Sequence, residues 1–409
     1  MTTPTASRLT FLCLLLTVFL DQVGISLILP IIPSLLADIT HHSLVDNAVI
    51  GGWLIAVYGL MQFIFAPIMG AVSDRFGRKV VLIICFIAFA VDYLLYAIAD
   101  TLTLLFVARM IAGIAGSSIV VSLAGIADIS QADNKTKHYA YIFATMSLGV
   151  ILGPTIASFT IQYGIRTPFY IASLLSVLSL LAIVLFFKET LPSHNRRPFA
   201  VQSPLKAFLY FNKYKGMMNL LIVQLLFVLA AQVPVTLWAF FTKYRFDWSD
   251  GDVAKSFIAL GIIGFFVQIY LVKKLYPVLG NKKIAYLGFG AFGLGLLLIA
   301  LSSHSWQFYL ALCLYGLAGI SNAAITSIYS SKVSASEQGQ LMGIIESISS
   351  MCVVVGPIMA VYLFRFSVSL ETPLSDGYPF ILAAILVAIC LYLLKRSIAD
   401  DEQPTGQDS

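Results

Sequence analysis

Four ionisable side chains, Asp21, Asp92, Arg109 and Glu346, lie inside long apolar runs of this sequence. If those runs sit in hydrocarbon, each charge costs at least ~2.5 kcal/mol. Burial disfavours the charged form of a carboxyl, and a nearby cation restores it. A carboxyl in such surroundings takes up and gives back a proton as the surroundings change. The four residues are therefore the candidate proton-coupling groups, with Asp21 and Arg109 expected to pair. The alternative is a buried ion pair that only fixes packing. Tyr58, Gln62, Asp92, Gln232, Trp238 and Phe241 are the candidate lining of a substrate cavity, because an aromatic wall accepts flat, amphipathic or cationic molecules. Trp238 and Phe241 lie near one end of their run, where anchoring in a membrane–water belt is an equal reading.

A second cluster is "GAVSDRFGRKV", Gly70 to Val80. It concentrates Asp74, Arg75, Arg78 and Lys79 in a chain only 11% charged. Gly70 is expected to let helices approach closely, and Gly77 to make a turn that a Cβ opposes. The bases suit a loop at a lipid surface, but topology does not require Asp74. A carboxylate there pairs with an arginine or sits at a helix N-terminus, and such a contact latches one conformation. Asp128 is either a further member of that latch or a solvated loop acid. Gly149, Gly153 and Pro154 form a third cluster, read as a structural kink or as a close contact with a neighbouring helix.

Composition says what must position these residues. Of 409 residues, 59% are hydrophobic, and the mean hydropathy is +0.91. An ordinary soluble domain is about a quarter charged, so lipid must be the main solvent. A helix needs ~20 apolar residues to cross the bilayer core. Apolar length and breaker residues predict twelve spans, roughly 9–31, 47–69, 80–99, 102–125, 138–162, 167–187, 216–241, 254–274, 283–302, 305–330, 338–364 and 378–395. With both termini in the cytoplasm, nineteen of the 25 Lys and Arg face inward and five face outward, with Arg109 inside a span. The expected organisation is a six-helix half over 1–187, a Pro-containing cytoplasmic linker over 188–215, a second six-helix half over 216–396, and an unstructured acidic tail over 397–409.

The halves repeat at an offset of 203 residues. "GPTIAS" from Gly153 maps onto "GPIMAV" from Gly356, Ala112–Gly116 onto Tyr315–Gly319, and Gly77 onto Gly280. The same offset sets Asp21 against Gln224, Asp92 against Gly295 and Arg109 against Leu312. The first half thus holds three intramembrane charges that its twin lacks, a bias that a packing role does not explain. Parallel six-helix repeats with a site at the membrane midplane are a transporter architecture.

Other chemistries lack a footing. The net charge of +5 fits basic cytoplasmic loops, and no basic patch with interleaved aromatics suggests nucleic acid. The five cysteines lie apart in apolar runs, so neither a disulfide frame nor a metal site is expected. His41 and His42 are adjacent, with no spacing for a closed site. No phosphate-cradling Gly-Lys-Ser/Thr loop points to ATP. No cofactor and no enzyme activity are expected.

"GAVSDRFGRK" resembles the signature loop of the major facilitator superfamily, and "LGVILGPTIA" resembles the span-five motif of its proton-coupled antiporters. "FLDQVGISLILPIIPSLL", "VDYLLYAIA" and "AAQVPVTLWAFFTKYRFDW" look especially like the tetracycline/proton antiporters. The resemblance implies an all-α, twelve-helix fold in a bacterial cytoplasmic membrane, functional as a monomer, that exports a small amphipathic compound against protons. It implies a coupling role for Asp92 and a sealing role for Gly149, Gly153 and Pro154. One departure stands out: those antiporters carry acids in span nine, where "IAYLGFGAFGLGLLLIA" has none, whereas Glu346 lies in span eleven. Either an acid has moved or the cargo differs. A proton-coupled carrier of a metabolite such as a siderophore is the rival reading, and a membrane-embedded enzyme or receptor a weaker one.

Overall fold

A computed structural model describes residues 4–116, 118–130, 132–191, 217–332 and 338–402. Among them helices are separated only by short turns. Among the described residues, eleven helical stretches are long and apolar enough to cross a membrane. One of these, Asp250–Leu301, has 52 residues and would reach ~78 Å at the α-helical rise, against ~30 Å of hydrocarbon. It folds as two spans because Gly280 interrupts it with φ 67° and ψ 171°. That restores the expected twelve. The Gly77–Gly280 repeat is visible in the backbone itself, since Gly77 also has a positive φ, of 106°.

The chain separates into two compact units, Met1–Gln202 with Thr242–Ile262, and Ser203–Phe241 with Ile263–Ser409. Thr242–Ile262 thus groups with the first unit, although the repeat assigns it to the second half. In the first unit the helices are α1 (Pro4–Ile28), α2 (Ile32–Thr40), α3 (Leu44–Phe76), α4 (Arg78–Ile98), α5 (Leu102–Ala115), α6 (Ser118–Ile129), α7 (Ala132–Thr160) and α8 (Thr167–Phe186). Helix α1 packs on α7 and α8, α4 on α8 and α5, and α3 on α5. The α1–α7 contact is close because glycine removes the spacer: a Cβ on Gly153 would fall 2.6 Å from the Val23 carbonyl oxygen and 2.8 Å from the Leu27 nitrogen.

Helix α9 (Met217–Phe246) leads into α10 (Asp250–Phe266), a single π-helical turn Val267–Leu271, and α11 (Val272–Leu301). The chain continues through α12 (Ser305–Leu317), a 3-10 turn Ala318–Ile320, α13 (Ser321–Ser331), α14 (Gln338–Val368) and α15 (Tyr378–Glu402). In the second unit α11 packs on α12, α13 and α15.

Three expectations change. Spans four and ten are broken near their middles, at Gly116 and at Ala318–Ile320, rather than continuous. Helix α15 runs to Glu402, into the tail expected to be unstructured. Gly70 does not serve close packing, since a Cβ there would meet nothing within 4 Å. Of the expected linker, 192–215 lie outside the described residues.

Candidate functional site

The α4–α5 hairpin brings Asp92 and Arg109 face to face in the first unit. Arg109 Nη2 donates to Asp92 Oδ2 at 3.0 Å and to Oδ1 at 3.3 Å. The Asp92 side chain is 1% exposed and that of Arg109 13%. Two rings flank the guanidinium, with its carbon 4.6 Å from the Tyr96 ring centre and 5.8 Å from that of Tyr58. This supplies the partner and the π-faces that a buried cation needs. It also corrects the expected Asp21–Arg109 pair. Antiparallel neighbours seventeen residues apart meet directly, so the arginine goes to Asp92.

Asp21 on α1 is buried as well, but its partner is neutral: Ser118 Oγ donates to its Oδ2 at 2.9 Å. Its Oδ1 has no hydrogen-bond partner among the described residues. The Tyr93 hydroxyl stands beside Gly24, where a Cβ would fall 2.6 Å from the phenol carbon that bears it. Gln62 Nε2 donates to Gly116 O at 3.0 Å, at the break in span four, and Tyr58 reaches the same glycine. The first unit therefore gathers Asp21, Asp92, Arg109, Tyr58 and Gln62 around the broken helix. Glu346 lies on α14, but its side chain is outside the described residues.

The second-unit candidates separate. Gln232 is nearly buried, against Gly356, whose Cβ would sit 2.6 Å from the Gln232 side chain. Trp238 and Phe241 are neither cavity wall nor belt anchors: they are 2% and 0% exposed. Trp238 packs edge-on against Phe308 and Tyr315, and Phe241 tilts over Phe380. Their face of α9 points into the unit's aromatic core.

Of the residues expected to form a latch, Asp74 and Asp128 gather around Arg78. Its Nη1 donates to Asp74 Oδ1 at 2.6 Å and to Ser73 Oγ at 2.8 Å, and its Nε to Asp128 Oδ2 at 3.0 Å. Asp128 is therefore tied in rather than merely solvated. Arg75 lies over the Phe76 ring, and Lys79 Nζ donates to Val184 O at 2.9 Å. Sequence reading missed Glu189. Its two carboxylate oxygens accept from the Arg78 and Lys79 backbone amides at 2.9 and 3.1 Å. That caps α4, whose own N-cap, Gly77, has no side chain to do it. A carboxylate 111 residues downstream leaves no mark in local spacing.

Gly149 and Gly153 line the α1–α7 seam, with Ser26 Oγ 3.1 Å from Gly149 O. This favours close contact over a simple kink, and Pro154 sits inside the unbroken α7. At the other end of the unit, Lys243 Nζ meets Asp250 Oδ1 at 2.7 Å and Ser34 Oγ at 2.9 Å. No cluster of metal-ligating side chains occurs among the described residues.

The family model of the Major Facilitator Superfamily matches residues 14–279 and 274–409. The class H tetracycline resistance protein of Pasteurella multocida is 32% identical over 385 residues, covering 92% of this chain and 94% of its own. The class B protein of Escherichia coli is 32% identical over 93% of both. Multidrug resistance protein 1 of Bacillus subtilis (strain 168) is 28% identical over 94% of this chain and 95% of its own. Among solved structures, the human organic anion transporter MFSD10 superposes with a TM-score of 0.74 at 22% identity, covering 96% of this chain and 100% of that one. The xylose transporter XylE of E. coli gives 0.72 at 14%, covering 96% and 99%. At these identities the structural matches establish the fold.

Proposed function

The chain belongs to the Major Facilitator Superfamily, and from that premise we propose that it exports a small amphipathic, drug-like compound in exchange for protons. The observation that carries the reading is the pair of buried acids in the first unit with unlike partners. Asp92 is bound by a guanidinium, which holds a negative charge in place. Asp21 is bound by a hydroxyl, which donates to a carboxylate and accepts from a carboxylic acid with equal ease. Asp21 is thus equipped to exist in both protonation states without losing its partner. We assign it the transported proton. Asp92 and Arg109 are the buried charged pair whose balance cargo and proton both influence, with Tyr58 and Gln62 beside them. Glu346 is retained as a second coupling acid.

Loss of the Asp21 proton outside or inside would change the field at Arg109, so hold on the cargo would differ between the two sides. That difference is what exchange requires. The tetracycline resistance names of the relatives support a drug-like cargo. Placement in a bacterial cytoplasmic membrane, with both termini inside and monomeric function, rests on the distribution of Lys and Arg and on the family. The Arg78–Asp74–Asp128 cluster would be the latch of one conformation, and the Gly149–Gly153 seam the seal against proton leak.

The test is cargo-driven proton movement in everted vesicles. Tetracycline and a panel of planar cations should dissipate a pre-formed pH gradient with the wild type. Asp21→Asn, which keeps an acceptor for Ser118, should still bind the active compound but lose the proton signal. An Asp21→Asn protein that exchanges protons at the wild-type rate would remove Asp21 from the mechanism.

A further inference from the structure

Gln268 sits in the only π-helical turn among the described residues, Val267–Leu271, in the run from Asp250 to Leu301. Single π-turns inside long helices are costly and concentrate at functional positions. The side chain is exposed, although its helix is one that crosses the membrane. An amide oxygen left unpaired in hydrocarbon is heavily penalised, so an exposed glutamine here has reason to face water or cargo. Its Nε2 donates to Gly319 O at 3.3 Å, a carbonyl in the 3-10 turn that breaks span ten. Its Oε1 makes no hydrogen bond among the described residues.

The first unit contains the same device. Gln62 donates to Gly116 O at the break of span four, and Gly116 and Gly319 are 203 residues apart, the repeat offset. The glutamines themselves are 206 apart, so one is displaced by nearly a helical turn, yet both reach the equivalent carbonyl. Two units that have lost charge symmetry keep this amide-to-break contact.

We propose that Gln268 is a cargo-binding residue of the second unit: its Nε2, held by the Gly319 carbonyl, aims Oε1 at a hydroxyl, enol or amide N–H of the transported compound. The π-turn sets the side chain's direction, and the broken span supplies a fixed anchor. The inference rests on the export reading above and deepens it by naming a neutral, hydrogen-bonding subsite for the polar edge of an amphipathic molecule.

The probe is tetracycline, whose hydroxyl-rich edge offers several donors. In everted vesicles, Gln268→Leu should raise KM for tetracycline roughly 2- to 12-fold, the loss of one neutral hydrogen bond, with kcat nearly unchanged. Gln268→Glu, which retains an acceptor, should lie closer to the wild type. In parallel, Gln268→Cys in a protein with its five native cysteines replaced should react with a membrane-impermeant maleimide, and tetracycline should slow the reaction. An unchanged KM in Gln268→Leu overturns the proposal. So does a thiol that reacts only with a lipid-soluble maleimide. If wild-type vesicles move no tetracycline, the export reading fails for that compound, and the labelling alone decides whether Gln268 faces water.

Discussion

Removing Arg109 should be far more damaging than removing Arg109 and Asp92 together. Arg109→Met leaves the Asp92 carboxylate 1% exposed with its charge uncompensated. Breaking a buried pair from one side typically costs 3–5 kcal/mol, while replacing both partners by apolar groups is often neutral. The 13% exposure of the Arg109 side chain admits some solvent, which argues for the lower end, about 3 kcal/mol. The single variant also loses the contact with the Tyr96 ring at 4.6 Å, worth roughly 0.5–2 kcal/mol. Asp92→Leu/Arg109→Met loses that contact equally, so it cancels from the coupling. The double variant should then be about 3 kcal/mol more stable than Arg109→Met, and the full cycle, which includes Asp92→Leu with its stranded Arg109 cation, should be strongly non-additive, measured by equilibrium unfolding in mixed micelles. The same proteins in everted vesicles give the functional half. The double variant should fold and insert, yet fail to dissipate a pH gradient when tetracycline is added. Stability losses that add to within about 0.5 kcal/mol would show that the pair does not act as one unit. A double variant that still exchanges protons would show that it does not couple.

Gly153→Ala should strain the α1–α7 seam, because its Cβ would meet backbone atoms of Val23 and Leu27 at 2.6 and 2.8 Å. The expected cost is about 1–3 kcal/mol, together with faster proton leak without cargo, and Gly70→Ala, with open space around it, is the control that should change neither. An intact seal in Gly153→Ala would remove the sealing role. Glu189→Gln should weaken the cap on α4 by roughly 0.5–2 kcal/mol. It should slow transport while leaving the KM for cargo alone, and a change confined to KM would place Glu189 at the cargo instead.

What was legible in the sequence is what depends on composition and on short range. Apolar length yields the spans because the bilayer sets a minimum, and the charges within them stand out for the same reason. Gly77 was readable as a turn because glycine takes a positive φ without strain, and Gly280, its partner in the repeat, has a positive φ too. Partnerships between distant segments were not readable. Asp92 rather than Asp21 takes Arg109 because of which helix faces cross in space. Glu189 reaches the start of α4 across a gap of 111 residues. Trp238 and Phe241 were placed by their distance from a span end, which says nothing about which face of α9 they occupy. The breaks at Gly116 and Ala318–Ile320 hide in "AGIAG" and "YGLAG", whose glycines are equally at home in an unbroken transmembrane helix.

The repeat also bears on why Asp21, Asp92 and Arg109 have no charged counterparts in the second unit. Position 281, 203 residues after Arg78, is Asn281, whose Nδ2 donates to Ser327 Oγ at 2.6 Å. Ser327 lies on α13, the helix that repeats α6 and Asp128, since Ser321 begins it 203 residues after Ser118. The second unit thus retains the loop-to-helix contact but makes it with neutral groups. The same happens deeper in, where Gly295 replaces Asp92 and packs against the Tyr315 backbone, within 2.6 Å of a Cβ there, and Leu312 replaces Arg109. A duplicated fold needs those contacts for packing, and neutral residues supply them without the solvation cost of charge. Packing alone therefore does not explain why the first unit pays that cost at Asp21, Asp92 and Arg109. A function that needs a group to change its charge does. On this reading Gln268 would meet the cargo as a neutral group, whose hydrogen bonding is the same whatever the pH.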